Sequence, residues 1–175
     1  AQPYVVVDIE TTGGNSSYNR ITEIGMVKLV GGKEVDRFQT LLNPQRRIPS
    51  NITRLTGISD DMVADAPLFA EIAEQVANFT EDAVFVAHNV NFDYGFIKQE
   101  FTRLEQSFRR PKMCTVREMR RTYPGLPSYS LANLTKHFHI EMEQHHRALS
   151  DAKAAAELLK LAFEKDDELA ALSSN

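Results

Sequence analysis

The first part of the chain carries its hydrophobic residues in runs and alternations that are typical of β-strands. Residues 4–7 form an apolar run that leads into acidic residues, and residues 21–30 place apolar and polar side chains with a period of two. A Gly-Gly pair separates them from a third such segment over residues 35–42 and predicts a tight hairpin turn. We therefore expect an antiparallel meander of three strands, followed by a short buried strand over residues 83–87.

The second part of the chain repeats its apolar residues at helical spacing. The pattern predicts a last short strand over residues 113–116 and helices over residues 68–79, 92–104, 131–138 and 149–163. Beyond Lys165 the sequence is acidic and rich in small residues, so we expect one domain over residues 1–165 and a frayed tail over residues 166–175. Strands followed by alternating strands and helices predict a layered α/β or α+β fold.

Length and composition suit a single globular domain without a membrane segment. The chain has 175 residues, of which 42% are hydrophobic and 25% charged, enough to bury a core. No apolar run approaches the length that spans a bilayer, and the first residues have no signal-peptide pattern. The single cysteine, Cys114, cannot form an internal disulfide, so we expect a reducing compartment and a cytoplasmic location.

The first candidate for chemistry lies at the end of the first predicted strand. Asp8 and Glu10 project from the same face of that strand, about 7 Å apart along it. Two ionised carboxylates this close repel each other, and a divalent cation between them converts the repulsion into attraction. The pair therefore predicts half of a metal site. A strand that simply emerges into solvent would also accommodate both acids.

Two further acids stand at predicted helix starts. Asp93 lies in the first turn of its helix and Asp151 begins the last helix, where either acid could instead serve only to favour the positive end of the helix dipole. His146 precedes Asp151 by a spacing that does not share a helix face, so we expect it on the loop that enters the helix. His145 is the alternative histidine. Glu23, inside the second strand, fits either a substrate contact or a solvent-facing edge position.

Three segments match known motifs in the expected order. They are VDIETTG, HNVNFD and HRALSDA, which begin at residues 7, 88 and 146. They resemble the three motifs of the DEDDh, or DnaQ-like, 3′–5′ exonucleases, the family that includes the proofreading epsilon subunit of bacterial DNA polymerase III. The resemblance extends over nearly the whole chain. It implies a ribonuclease H-like α/β fold, with a mixed central sheet of about five strands flanked by helices.

The resemblance also implies roles for the site residues. Four carboxylates would hold two divalent cations, Mg²⁺ or Mn²⁺, and a histidine would act as general base; the matching positions are Asp8, Glu10, Asp93, Asp151 and His146. Thr11, Thr12 and His88 match positions near the terminal nucleotide or the metal shell. The chain departs from the family at Gly14, where a bulky apolar residue often follows the first motif. We therefore expect a later apolar side chain, Ile58 or Leu55, to pack against the terminal base.

The implied activity is removal of nucleoside 5′-monophosphates from the 3′ end of single-stranded or frayed DNA. An RNA-trimming member of the same family is the alternative enzyme, because a 2′-hydroxyl is read by packing that the sequence does not reveal. A catalytically silent module that binds nucleic acid or a polymerase is the alternative from another class. The net charge of −4 does not exclude a nucleic-acid partner, because bound divalent cations would neutralise the four carboxylates. Partners would be DNA and a polymerase subunit or fused polymerase domain, with no membrane.

Overall fold

The structure, a computed structural model, describes residues 1–144 and 146–173. Within those residues the strands are β1 (Tyr4–Thr11), β2 (Ile21–Val30), β3 (Lys33–Leu41), β4 (Val84–Ala87) and β5 (Lys112–Cys114). The helices are α1 (Ser50–Thr56), α2 (Asp60–Val63), α3 (Phe69–Phe79), α4 (Val90–Arg103), α5 (Thr115–Thr122), α6 (Leu131–His137) and α7 (Ala148–Ser173). Across the described residues, none of these helices combines the length and the hydrophobicity needed to cross a bilayer.

The strands form one mixed sheet in the order β3-β2-β1-β4-β5. The meander predicted from the sequence is confirmed, because β1 pairs antiparallel with β2, and β2 antiparallel with β3. β1 then pairs parallel with β4, and β4 parallel with β5. Strand β1 is therefore central, and its carboxyl end lies at the same edge of the sheet as the carboxyl end of β4.

Alternation along β1 sends its side chains into two separate hydrophobic cores. Val5 and Ile9 pack with residues of α3 and α4 on one face of the sheet. Val6 packs with the alanine-rich side of α7 on the other face. Asp8 and Glu10 belong by alternation to the Val6 face, which α7 covers. The sheet is thus flanked by helices on both faces, as the sequence predicts.

The last helix is longer than the sequence predicts. Residues 166–173, expected to belong to a frayed tail, continue α7 as regular helix. The Arg121 guanidinium donates two hydrogen bonds of 2.8 Å to the Asp166 carboxylate, which joins α5 to this part of α7. Ala, Leu and Glu, which favour helix, make up most of the following turns. Residues 174–175 lie outside the described part of the chain.

Candidate active site

Helix α4 begins at the carboxyl end of β4 and carries Asp93 into the middle of the sheet edge. Asp93 lies in the first turn of the helix and is buried. Its Oδ2 accepts a hydrogen bond of 3.2 Å from the backbone N–H of Ile9 in β1. Because Ile9 stands between Asp8 and Glu10, this bond places the third acid against the first two.

The third motif brings its two candidate residues to the same place. Asp151 is buried in the first turn of α7, where its N–H donates to the Arg147 carbonyl oxygen at 3.0 Å. His146, exposed on the loop before the helix, has a left-handed backbone with φ of 59°. Ligand atoms of Glu10, His146 and Asp151 all lie within 4.8 Å of one another. His145, the alternative histidine, lies outside the described residues.

Burial and mutual repulsion raise the pKa values of the four acids. Burial, and then the charges of Asp93, Asp151 and Glu10, raise the pKa of Asp8 well above its usual range. Burial and the neighbouring acids raise the pKa of Glu10 to about 8. Burial also raises the pKa of Asp151 to about 7, although a hydrogen bond from the His146 backbone opposes the shift. The pKa of Asp93 is raised in the same way, mainly by burial, against the hydrogen bond from Ile9.

These four carboxylates fit divalent cations. Asp8 Oδ2 is buried, and no group among residues 1–144 and 146–173 hydrogen-bonds to it. An acceptor left without a donor inside a protein is costly, and a cation satisfies it. The charges of the other three acids act on Asp8, and ligand atoms of two of them, Glu10 and Asp151, lie within 4.8 Å of each other. Carboxylate oxygens are the ligands that Mg²⁺ and Mn²⁺ prefer. The structure therefore provides a carboxylate site with a histidine beside it, suited to a divalent metal.

The two threonines of the first motif shape the turn that follows β1. The Thr11 hydroxyl donates to the Gly13 carbonyl oxygen at 2.7 Å. The Thr12 hydroxyl donates to Asn19 Oδ1 at 2.9 Å and accepts from the Arg20 N–H at 3.1 Å. Both side chains are buried and fix the turn beside the site, so a substrate contact by either hydroxyl stays a prediction.

His88 joins three segments beneath the site. Its Nε2 lies 2.7 Å from the Tyr129 carbonyl oxygen and its Nδ1 lies 2.8 Å from the Thr115 hydroxyl. A carbonyl only accepts, so Nε2 donates its proton and Nδ1 accepts from the threonine. Burial lowers the pKa of this imidazole, which suits the neutral ring that the two bonds require. The substrate role predicted for His88 also stays a prediction, because both ring nitrogens are used within the protein.

The residue expected to pack against a terminal base must be corrected. Ile58 is 0% exposed and packs in a small cluster with Ile48 and Val63, so it presents no surface to a ligand. Leu55, the alternative on the same segment, is 55% exposed. The sequence did not distinguish them, because an apolar residue after a short turn suits both a core and a binding surface.

Glu23 fulfils neither of its two expected roles. It lies in β2, an inner strand, and is 1% exposed. Its carboxylate is bound by Arg147, the neighbour of His146, through bonds of 3.0 and 2.8 Å. Burial alone would raise the pKa of Glu23, but the hydrogen bonds from Arg147, Ala148 and Gln39 outweigh it and lower that pKa. Sequence spacing gave no signal for this pairing, because its partners are 124 positions apart.

The fold places acids at one edge of a mixed sheet, an arrangement suited to an enzyme that uses a divalent metal. The chain belongs to the RNase_T exonuclease family, whose model matches residues 5–159. It is 45% identical over 165 residues to the PolC-type DNA polymerase III of Clostridium perfringens, covering 94% of this chain and 11% of that protein. The chain thus spans about a tenth of that relative's length. A putative bifunctional exonuclease/endonuclease protein MT2247 of Mycobacterium tuberculosis is 41% identical over 171 residues, covering 93% of this chain and 26% of that protein.

Solved structures of other exonucleases have a similar fold. Exonuclease X in complex with 5′ overhanging duplex DNA superposes with a TM-score of 0.77 at 28% identity, covering 92% of this chain and 91% of that one. Escherichia coli exonuclease I in complex with a dT13 oligonucleotide gives 0.87 at 19% identity, covering 97% and 42% of the two chains, which is a likeness of fold alone. The ribonuclease H-like fold and the exonuclease class predicted from the sequence are confirmed at the level of the family, including its resemblance to 3′–5′ proofreading exonucleases.

Proposed function

We propose that this domain removes nucleoside 5′-monophosphates from the 3′ end of single-stranded or frayed DNA. The observation that carries the proposal is the convergence of four acids from β1, α4 and α7 with His146 beside them. The kinship with PolC-type polymerases and with exonuclease X, which was solved with DNA, supports DNA as the substrate.

We infer that two divalent cations, Mg²⁺ or Mn²⁺, are held by Asp8, Glu10, Asp93 and Asp151. Bound there, they would neutralise the phosphate and make water a better nucleophile. Without metal, the raised pKa values of Glu10 and Asp151 leave these acids partly protonated near neutral pH. Cation binding must displace those protons, so affinity should rise with pH.

His146 would accept the proton of the attacking water. It is exposed on the loop before α7 and lies within reach of Glu10 and Asp151. Histidine is the side chain that most often acts as a general base near neutral pH. The water oxygen then bonds to phosphorus as the bond to the 3′ oxygen of the penultimate nucleotide breaks. That oxygen takes a proton and becomes the new 3′-hydroxyl, and the terminal nucleotide leaves as its 5′-monophosphate.

The turn after β1 and the segment around Leu55 are the surfaces we assign to the terminal nucleotide. The bonds of Thr11 and Thr12 keep the turn fixed beside the acids. Leu55 offers the exposed apolar surface that Ile58 lacks. His88 would act indirectly, by holding α5 and the loop around Tyr129 in place.

Degradation of a single-stranded DNA oligonucleotide with a labelled 3′-terminal nucleotide tests the activity. With Mg²⁺ the label should be released at once as a mononucleotide, and EDTA or the Asp8→Ala variant should abolish release. Release of the 5′ end first would overturn the assigned direction. Metal-independent binding without release would identify a silent module. Faster trimming of the RNA version would favour the RNA-trimming alternative.

We further propose that the domain works beside a DNA polymerase in the cytoplasm. The relatives that are PolC-type polymerases contain a matching segment within a much longer chain. Capture of the tagged domain from cells of its source, followed by identification of bound proteins, tests this. Recovery of no polymerase subunit, when the full gene product also contains no polymerase domain, would refute it.

A further inference from the structure

We propose that Glu23 is a positioning residue that holds the His146–Asp151 segment over the site through Arg147. The inference rests on the proposed function, since it assigns catalytic consequences to where His146 and Asp151 lie. Its basis is a contact between the start of α7 and Glu23 of β2, a residue that lies outside the three exonuclease motifs.

The Glu23 carboxylate accepts four hydrogen bonds. Oε1 accepts from Arg147 Nε at 3.0 Å and from the Ala148 N–H at 2.9 Å. Oε2 accepts from Arg147 Nη2 at 2.8 Å and from Gln39 Nε2 at 2.7 Å. Charge-assisted bonds of this kind are stronger than neutral ones, and the side-on guanidinium fixes both position and angle. One buried carboxylate therefore fixes the side chain that follows His146 and the first amide of α7.

The strand beneath adds a second constraint on the same segment. Gly25, two residues after Glu23 and therefore on the same face of β2, lies directly under the first turn of α7. A Cβ atom there would stand 2.5 Å from the Leu149 nitrogen and 2.6 Å from the Ala148 carbonyl carbon. The start of α7 thus packs directly against the backbone of Gly25, and Glu23 binds the residue that leads into this helix.

This anchoring opposes a local cost. His146 holds a left-handed backbone, which is unfavourable for a residue other than glycine and persists only when its surroundings enforce it. Arg147 follows His146 and directly precedes the first residue of α7. Its bonds to Glu23 therefore fix the position of the segment that joins the histidine to the helix. Loss of the anchor would let the loop relax, moving the imidazole away from Glu10 and loosening the first turn that carries Asp151.

A purely structural role for the pair is the alternative, and the chain contains a matched control. Glu100 is 2% exposed and accepts from Arg20 Nε at 2.9 Å and from Nη2 at 2.8 Å. This pair has the same side-on geometry and burial, but it joins the loop before β2 to α4. Glu100→Gln should therefore cost similar stability without acting on the loop that carries His146.

Hydrogen exchange tests the positioning independently of activity. In Glu23→Gln, with and without Mg²⁺, amides in peptides covering residues 146–151 should exchange at least about tenfold faster than in the parent. In Glu100→Gln they should not. Arg147→Lys keeps the charge but loses the second nitrogen, and should give an intermediate increase. Unchanged exchange in the folded Glu23→Gln and Arg147→Lys variants would overturn the inference.

A double-mutant cycle tests the catalytic consequence. Glu23→Gln should lower kcat roughly 10- to 100-fold, as loss of a residue supporting a metal site does, with KM within about twofold. In a His146→Ala background it should lower kcat much less, whereas the effect of Glu100→Gln should be the same in both backgrounds. Equal effects of Glu23→Gln in both backgrounds would overturn positioning through His146. A His146→Ala protein with the parent rate would instead refute the proposed base, while faster exchange in Glu23→Gln would still support the anchor.

Discussion

Asp93 and Ile9 are joined by a hydrogen bond of 3.2 Å across 84 positions of the chain. The donor is the backbone N–H of the residue between the two acids of the first motif, and the acceptor is the acid of the second. Because a backbone donor has no side chain to reorient, its direction is set by β1 itself. The parallel pairing of β1 with β4 therefore fixes where Asp93 lies relative to Asp8 and Glu10.

Asp93→Asn separates the structural part of this bond from the charge. The amide oxygen can still accept from the Ile9 N–H, so the fold and the α4 start should be retained. The loss of one anionic ligand should lower turnover by at least about 100-fold. Circular dichroism and a rate assay on the same preparation check this. A variant that unfolds, or one that keeps more than a tenth of the parent rate, would contradict the assignment.

The raised pKa values predict that the metal-free protein loses stability as pH rises. Carboxyl groups in the unfolded chain titrate near pH 4, whereas Glu10 titrates at about 8 and Asp151 at about 7 in the fold. Between these values the folded protein binds more protons than the unfolded one, so the free energy of unfolding falls with rising pH. Glu23 has a lowered pKa, so its contribution is lost only as pH falls into the acid range.

The midpoint temperature of thermal unfolding, measured in EDTA, should therefore decrease as the pH is raised from 5 to 8. Each kcal/mol corresponds to about 2–4 °C for a domain of this size. Mg²⁺ or Mn²⁺ should flatten the curve by replacing the displaced protons, and Asp8→Asn should raise the midpoint at pH 8 without metal. A midpoint in EDTA that stays constant from pH 5 to pH 8 would show that neither burial nor mutual repulsion raises the pKa values of these acids in the folded protein.

His146→Ala separates proton transfer from metal binding. If His146 is the general base, its loss should slow hydrolysis by roughly 10²- to 10⁴-fold. The affinity for Mn²⁺, measured by calorimetry, should change little, because the four carboxylates remain. The close approach of His146 to Glu10 and Asp151 makes the affinity measurement decisive. A collapse of Mn²⁺ affinity would make the histidine a ligand instead.

The sequence predicted the elements and acids that follow a regular spacing. It did not predict contacts between residues that are distant in the chain. The strands and the helical face of α7 follow periods of two and 3.6 residues, and the acids of the three motifs stand at element ends. The Glu23–Arg147 pair has no such signature, since each residue alone is an ordinary surface type. The burial of Ile58 and the helical continuation to Ser173 likewise depend on tertiary contacts. The prediction failed where a contact between separate segments decided the outcome.

Gly25→Ala should weaken the site by displacing the start of α7. A methyl group at this position would meet the backbone of Ala148 and Leu149, which cannot yield as a flexible side chain could. Overpacking of this kind costs about 1–3 kcal/mol and would push the first turn of α7, with Asp151, away from the sheet. We expect a lower unfolding midpoint and a lower rate together with weaker Mn²⁺ binding.

Gly95→Ala is the matched control for that substitution. Gly95 lies inside α4, and a Cβ there meets no atom of the described residues within 4 Å apart from its chain neighbours and the backbone of its own helix. Alanine is favoured over glycine in a helix by about 0.8–1 kcal/mol, so this variant should be slightly more stable than the parent. Unfolding midpoints and Mn²⁺ titrations of both variants, measured side by side, distinguish a specific contact from a general effect of the added methyl. A Gly25→Ala protein that binds Mn²⁺ as tightly as the Gly95→Ala control would mean that the α7 start does not depend on its seat against β2.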